Sequence, residues 1–452
     1  MQPLGGGMPE GSKSRMIIRA RAVVTMDGAL IENGAVAVSE DRIDDSPPGS
    51  SPSRAARPGR TAPAGSIVDV GKFPEVSARY SGQEIIDLGE QMLLPGLINA
   101  HCHLDYTCLR GRIPPPKSFT DWIRAINSEK SRLSSQDYVS SINEGFKEAQ
   151  RFGTTTIANL TAFPELIQQV PDSPIRTWWF AELIDVRLPD RANEFVDSAM
   201  DSLGRARPPG APFGLAPHAL FTASKNLYQT CEEVARRQNI LLTTHLAESR
   251  EEMEMFCDAS GPLYEFLESI GRDMRDCGQA TPLECFLKVT DSSNRRFFGN
   301  QNENNWLVAH LNELTEGDFE LLKKVKTKFQ VVHSPRSHDY FDHTRFPFQR
   351  LHALGFNVCL GTDSLASNES LSLFEEMRAF QRNEPAISPE KVLKMVTVNS
   401  ALALGQQNTL GRIRPGFGAD LVAIPCTESR DLFAEIVAFE NEINWMMADG
   451  RP

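Results

Sequence analysis

Between residues 93 and 410, short apolar runs alternate with amphipathic segments. The apolar runs are MLLPGLINA, TTTIANL, RTWWFAEL, PFGLAPH, NILLTTH, NWLVAH, FQVVHS and FNVCLGTD. Each has the length and content of a buried strand, the first with a Pro-Gly break inside it. Segments such as YVSSINEGFKEAQRFG and KNLYQTCEEVARRQ have the spacing of amphipathic helices. Eight such strands with helices between them predict an α/β fold, a closed parallel (β/α)8 barrel of the TIM type. A doubly wound open sheet is the alternative. It is expected to carry a Gly-rich phosphate turn after its first strand, and none is present.

The two ends of the chain have a different pattern. MIIRARAVVTMDGALIENGAVAVSEDRI, from Met16, has short β-rich runs separated by Asp-Gly and Asn-Gly turn signals. EIIDLGEQMLLPGL resumes that pattern, and GRIRPGFGADLVAI near the far end reads as two more short strands. Together they predict a small β-sandwich built from both ends, over 16–92 and 411–452, flanking a barrel over 93–410. Residues 1–15 read as disordered. The Pro-, Ser-, Gly- and Arg-rich stretch 45–65 cannot bury a core and reads as a flexible insertion.

Composition narrows the function. The chain has 452 residues, 40% hydrophobic and 23% charged, as in an ordinary globular protein. Asp and Glu exceed Lys and Arg by 59 to 47, and the net charge of −12 argues against nucleic acid or an anionic membrane as partner. No apolar run is long enough to span a bilayer, and MQPLGGGMPEGSKSR lacks the apolar core of a signal peptide. The eight cysteines form no CxxC pair and read as reduced thiols of a cytoplasmic protein. A small-molecule substrate fits this balance, and a homodimer or higher homo-oligomer is compatible with it.

Barrel active sites sit at the C-terminal ends of the strands. Those ends carry His101 and His103, Glu182, His218, His245, His310, His333 and Asp363, which include six of the nine histidines. In PGLINAHCHLDY, the alternation of a strand aims His101 and His103 to one face and turns Cys102 away. His101, His103, His245 and Asp363 make an N3O ligand set suited to one divalent metal, zinc first and iron second, with room for a water. A bound metal lowers that water's pKa and yields a hydroxide nucleophile. Taken singly, His245 is equally readable as a strand cap and Asp363 as a helix N-cap. Glu248, on the loop leaving its strand, is placed to shuttle protons, or is an exposed acid at a helix start. His310 is placed to stabilise the hydroxide and developing charge, or is a buried histidine bonded to backbone.

The motifs PGLINAHCH, APHALFTAS, TTHLAES, VAHLNEL and LGTDSLASN, in this order, resemble the amidohydrolase superfamily, specifically the nucleobase and nucleoside aminohydrolases related to chlorohydrolases. The resemblance runs from Met16 to about Ile424. It implies metal ligation by His101, His103, His245 and Asp363, and ring-nitrogen protonation by Glu248. It also implies hydroxide assistance by His310 and a substrate contact by His218. Two-metal relatives of the hydantoinase type carry a bridging lysine after the fourth strand. PFGLAPHALF has none, so the resemblance implies one metal. The implied reaction is hydrolytic deamination of an aminopurine nucleoside or related N-heterocycle. Metal-bound hydroxide attacks an amino-bearing ring carbon, Asp363 takes the water proton, and ammonia leaves.

Substrate choice falls to the segments RIPPPKSFTDW and HSPRSHDYF, which look most like the aminodeoxyfutalosine-deaminase-like branch. Arg336 and His338 sit where the family places substrate contacts. Arg336 is readable as the partner of a substrate carboxylate or phosphate, or as half of a surface ion pair. Trp122, with Phe119, is available to stack on a ring, or belongs to the core of the following helix. Glu182 completes the candidate substrate contacts. HSPRS departs from the Asn-Pro form common in the nucleoside branch. Two further readings stand beside deamination: metal-dependent hydrolysis of another bond, as in a chlorohydrolase or cyclic amidohydrolase, and a non-catalytic barrel.

Overall fold

The computed structural model describes residues 15–39, 65–206, 210–290, 305–427 and 431–451. Apart from Arg15 and Gly65, the segments expected to be disordered (1–15) and a flexible insertion (45–65) lie outside the described residues. Five strands open the chain: β1 (Arg15–Val23), β2 (Ile31–Ser39), β3 (Ser66–Lys72), β4 (Glu84–Asp87) and β5 (Gln91–Pro95). Asp27-Gly28 lies in the connection of the antiparallel β1–β2 pair, whereas Asn33-Gly34 falls inside β2.

The barrel strands are β6 (Leu97–His103), β7 (Thr154–Thr161), β8 (Arg176–Leu183), β9 (Phe213–Pro217), β10 (Leu241–Leu246), β11 (Trp306–His310), β12 (Gln330–His333), β13 (Val358–Leu360) and β14 (Asp363–Ser364). All pair in parallel and in sequence order from β6 to β13, and β14 returns to β6 to close the ring. β13 and β14 are the two halves of the eighth strand, broken at Gly361-Thr362. The expected apolar runs all become strands. With helices covering the outside, both strand faces are buried, so the runs do not alternate with exposed polar residues, and even the threonines of β7 are buried. Ile98, Ala100, Ala158, Leu160, Phe180 and Leu307 fill the base of the interior.

MLLPGLINA is two strands instead of one. β5 belongs to the small sheet, β6 to the barrel, and Gly96 is the hinge between them. A Cβ at Gly96 would come within 2.2 Å of the Thr155 hydroxyl, so a larger residue does not fit the corner. The small domain therefore extends past residue 92 to Pro95. It is completed by β15 (Leu421–Pro425), antiparallel to β5, and β16 (Trp445–Met447), antiparallel to β15. GRIRPGFGADLVAI thus supplies one of these strands, not two. The sheet runs β16-β15-β5-β1-β2-β3, with β4 also on β1. Backbone bonds from Ile67 N to the Phe417 carbonyl and from Gly416 N to the Ile67 carbonyl, both 2.8 Å, bring β3 back to the segment before β15. The sheet so closes over Met16, Ile18, Val36, Val38, Leu93, Leu421 and Met447. The helix Leu432–Ala438, expected in the small domain, instead packs Ile436 and Val437 into the barrel's outer core. Among the described residues, no helix is long and apolar enough to cross a membrane.

Candidate metal centre and active site

The strand ends of β6, β10 and the broken eighth strand meet at one point. The register of β6 against β7 slips between Asn99 and Cys102. Below the slip Ile98 and Ala100 face the interior; above it His101 and His103 do, while Cys102 joins the outer core. One ligand atom each from His101, His103, His245 and Asp363 lies within 4.8 Å of all the others, and all four residues are buried. His101 Nε2 and His103 Nε2 stand 3.7 and 3.8 Å from Asp363 Oδ1. His103 Nε2 and His245 Nε2 are 3.2 Å apart.

The residues fit a divalent ion. His101 is fully buried, yet neither ring nitrogen has a hydrogen-bond partner, a costly state unless the ring ligates. His245 Nδ1 donates to the His218 carbonyl at 2.8 Å, which leaves the Nε2 lone pair facing inward. Two imidazole nitrogens sharing one tetrahedral ion stand about 3.3 Å apart, close to the His103–His245 spacing. Burial and neighbouring histidines push His103 well below its ordinary range. Burial, then His101, bring His245 down to about 4. Both rings are therefore neutral at physiological pH, the form in which an imidazole can ligate a metal. Burial opposes ionisation of Asp363, but His101 and the other surrounding imidazoles hold it well below the usual carboxylate range. Its Oδ2 accepts from Ser337 Oγ at 2.7 Å and its Oδ1 from the Ser364 amide at 2.8 Å. Ser337 escaped notice in the sequence because it lies between Arg336 and His338, which drew attention by their charge.

A family model for amidohydrolases matches residues 92–451. The chain belongs to the amidohydrolase family. It is 27% identical over 428 residues to a 5-methylthioadenosine/S-adenosylhomocysteine deaminase of Nitratidesulfovibrio vulgaris, covering 90% of this chain and 83% of that one. Among solved structures, it resembles aminofutalosine deaminase of Helicobacter pylori, with a TM-score of 0.78, 20% identity and coverage of 97% and 99%. It also resembles a zinc-containing adenosine deaminase of Xanthomonas campestris, with a TM-score of 0.75, 21% identity and coverage of 97% and 92%.

Around this amidohydrolase centre the other expected residues separate into two groups. Glu248 is buried where the chain leaves β10, its Oε1 3.7 Å from His310 Nε2. Burial first, then Asp363 and Glu252, push its carboxyl well above the ordinary range. His310 ends β11 at φ 73°, a left-handed conformation, as is Asp363 at 56°. Such strain in non-glycine residues gathers at working sites. His218 has its ring 4.8 Å from that of His245 and its Nδ1 2.6 Å from Thr222 Oγ1. Glu182 Oε1 lies 3.8 Å from His103 Nδ1.

The second group has other partners. Arg336 reaches Glu375 at 2.5 Å and Glu369 at 3.4 Å, so the ion-pair alternative is the one realised. A guanidinium with two carboxylates in place gains little by turning to a third. His338 faces Asn312, Nδ1 to Oδ1, at 3.2 Å. Trp122, on the helix Phe119–Lys130, packs against Phe119 and Phe341 and joins the core's edge. His333, at another strand end, stacks on Phe346 at 3.9 Å between ring centres. Asn312 and Glu252 went unnoticed in the sequence. Glu252 lay within an acidic helix start, and no motif marks Asn312.

Proposed function

We propose that this protein is a mononuclear, metal-dependent aminohydrolase that removes the amino group from an adenine nucleoside or closely related N-heterocycle as ammonia. The observation that carries the reading is a buried Glu248, its carboxyl pushed well above the ordinary range, 3.7 Å from His310 and close to an N3O group of three imidazoles and one carboxylate. The deaminase names of the relatives point the same way. His101, His103, His245 and Asp363 would hold the ion, and zinc suits that donor set best. When bound, the ion supplies Lewis acidity and brings a water's pKa toward neutrality.

The chain's own groups then do the following. Glu248 donates its proton to the ring nitrogen beside the amino-bearing carbon, which makes that carbon electrophilic. Asp363 accepts a proton from the attacking water. His310 faces the charge that develops on the oxygen as it adds. Collapse to the carbonyl breaks the carbon–nitrogen bond. One water proton reaches the departing amine through Asp363, and the other restores Glu248, so water plus amine gives carbonyl plus ammonia. His218 and Glu182, at neighbouring strand ends, are placed to contact the substrate. Arg336, His338 and Trp122 remain candidates only for an outer part of the substrate.

The test is ammonia release against adenosine, S-adenosylhomocysteine, methylthioadenosine, aminodeoxyfutalosine, guanine and a chlorotriazine, with metal analysis of the same sample. Turnover of a 6-aminopurine nucleoside at about one ion per chain is the expected result. One ion per chain with no ammonia from any of them would overturn the substrate class. Chloride release from the triazine alone would favour a chlorohydrolase.

A further inference from the structure

The chain leaves β10 through a left-handed residue, Ala247, at φ 49°. That turn swings Glu248 back over the ring of strand ends, and an alanine there is strained without support. Two buried polar side chains supply the support from opposite sides. Glu252, fully buried on the first turn of the helix Arg250–Asp258, reaches backwards past the helix start. Its Oε1 accepts the Ala247 amide at 3.2 Å and its Oε2 the Glu248 amide at 2.8 Å. From the other side, Asn312 Nδ2 donates to the Glu248 carbonyl at 3.0 Å. The amides of Asn312 and Glu313 both donate to the Ala247 carbonyl at 2.9 Å.

The Asn312 amide cannot be flipped. A carbonyl only accepts, so the nitrogen must face Glu248 and the oxygen must face His338. His338 Nδ1 therefore carries a proton and donates to Asn312 Oδ1 at 3.2 Å. The Glu248 carbonyl so fixes the orientation of Asn312, and Asn312 in turn sets the tautomer of His338. All four of these groups are buried.

We propose that Glu252 and Asn312 are positioning residues for Glu248, one gripping its amide and the other its carbonyl. The proposal rests on Glu248 being the proton donor assigned above. Neither side chain touches substrate in this reading; each sets where the Glu248 carboxyl stands. A displacement near 1 Å of a reacting group costs up to about 100-fold in rate.

The variants are Asn312→Ala and Glu252→Gln. Glutamine presents an NH2 group where one backbone amide needs an acceptor, so it keeps one grip and loses the other. In the metal-loaded enzyme, each variant is expected to lower kcat about 10- to 100-fold while KM stays within about threefold. Metal content is expected to be unchanged. Amide hydrogen exchange at Ala247 and Glu248 is expected to quicken in Glu252→Gln, a readout independent of turnover. Asn312→Gln, which keeps both polar groups, is expected to recover part of the loss relative to Asn312→Ala. Unchanged kcat, loss confined to KM, or unaltered exchange at both amides would overturn the proposal. Glu248→Gln is the control: normal turnover in it would remove the donor assignment itself, while the exchange result would still decide whether Glu252 grips the loop.

Discussion

At the scale of single residues, two buried carboxyls of the site are pushed in opposite directions. Glu248 is raised well above the carboxylate range by burial, while His101 and the other imidazoles hold Asp363 well below it. Glu248→Gln is expected to lower kcat by about 100- to 10,000-fold with metal content intact; an assay beside metal analysis checks both. Under the proposed mechanism the acid form of Glu248 is the active one, so kcat is expected to fall as pH rises through its raised pKa. A pH–rate profile of the wild type, with its alkaline limb well above the carboxylate range, tests that sign. On the acid side, His245 takes a proton near its lowered value of about 4, and the ion is expected to be released there. Ser337→Ala removes the hydroxyl bonded to Asp363. Metal affinity is expected to drop about 10- to 100-fold, measured by competition with a chelator. The His101, His103, His245 and Asp363 cluster was legible in the sequence because metal chemistry restricts the residue types. Ser337, Asn312 and Glu252 were not, since any chain has many serines, asparagines and glutamates, and only the fold shows which oxygen meets which amide.

At the scale of elements, the eighth strand is the part that departs from regularity. β13 and β14 are separated by Gly361-Thr362, and the amides of both residues turn to neighbours: Gly361 N to the His333 carbonyl and Thr362 N to the His101 carbonyl, at 3.0 and 3.1 Å. A Cβ on Gly361 would stand 2.6 Å from the His101 carbonyl oxygen and 2.9 Å from its Cβ. Gly361→Ala is therefore expected to push strand eight away from strand one and move Asp363 off His101. A stability loss of about 1–3 kcal/mol with loss of bound metal is expected, read by thermal unfolding and metal analysis. The strands themselves were legible because each is a short, largely uncharged and β-prone run between amphipathic segments. The split of MLLPGLINA between two sheets was not. Both halves are equally apolar, since β5 is covered by β15 and the small core, and β6 by the barrel. Pro-Gly signalled a break without saying that the two sides belong to different sheets. The ion pairs of Arg336 were not legible for a similar reason: its partners Glu369 and Glu375 come from beyond the next strand.

At the scale of the whole molecule, the small sheet is tied to the barrel by a buried ion pair. Arg176, at the start of β8, meets Asp420 at 2.8 Å and Asp449 at 2.6 Å. Arg176→Ala leaves Asp420 buried without its cation and is expected to cost about 3–5 kcal/mol, measured by denaturant unfolding. Replacing Arg176 and Asp420 together by Met and Leu is expected to cost less. The barrel was legible as a whole because its elements recur in order. The small domain's closure was not, because its halves are separated by the entire barrel sequence. That separation has a consequence in time. β5 pairs residue for residue with β15, Leu93 opposite Ala423, so a growing chain presents β5 with one bare hydrogen-bonding edge until nearly all the barrel has been made. Bare edges of apolar strands recruit other chains. A chain cut after residue 410 is expected to precipitate instead of yielding a free barrel, because β15, which covers that edge, is made only after the barrel.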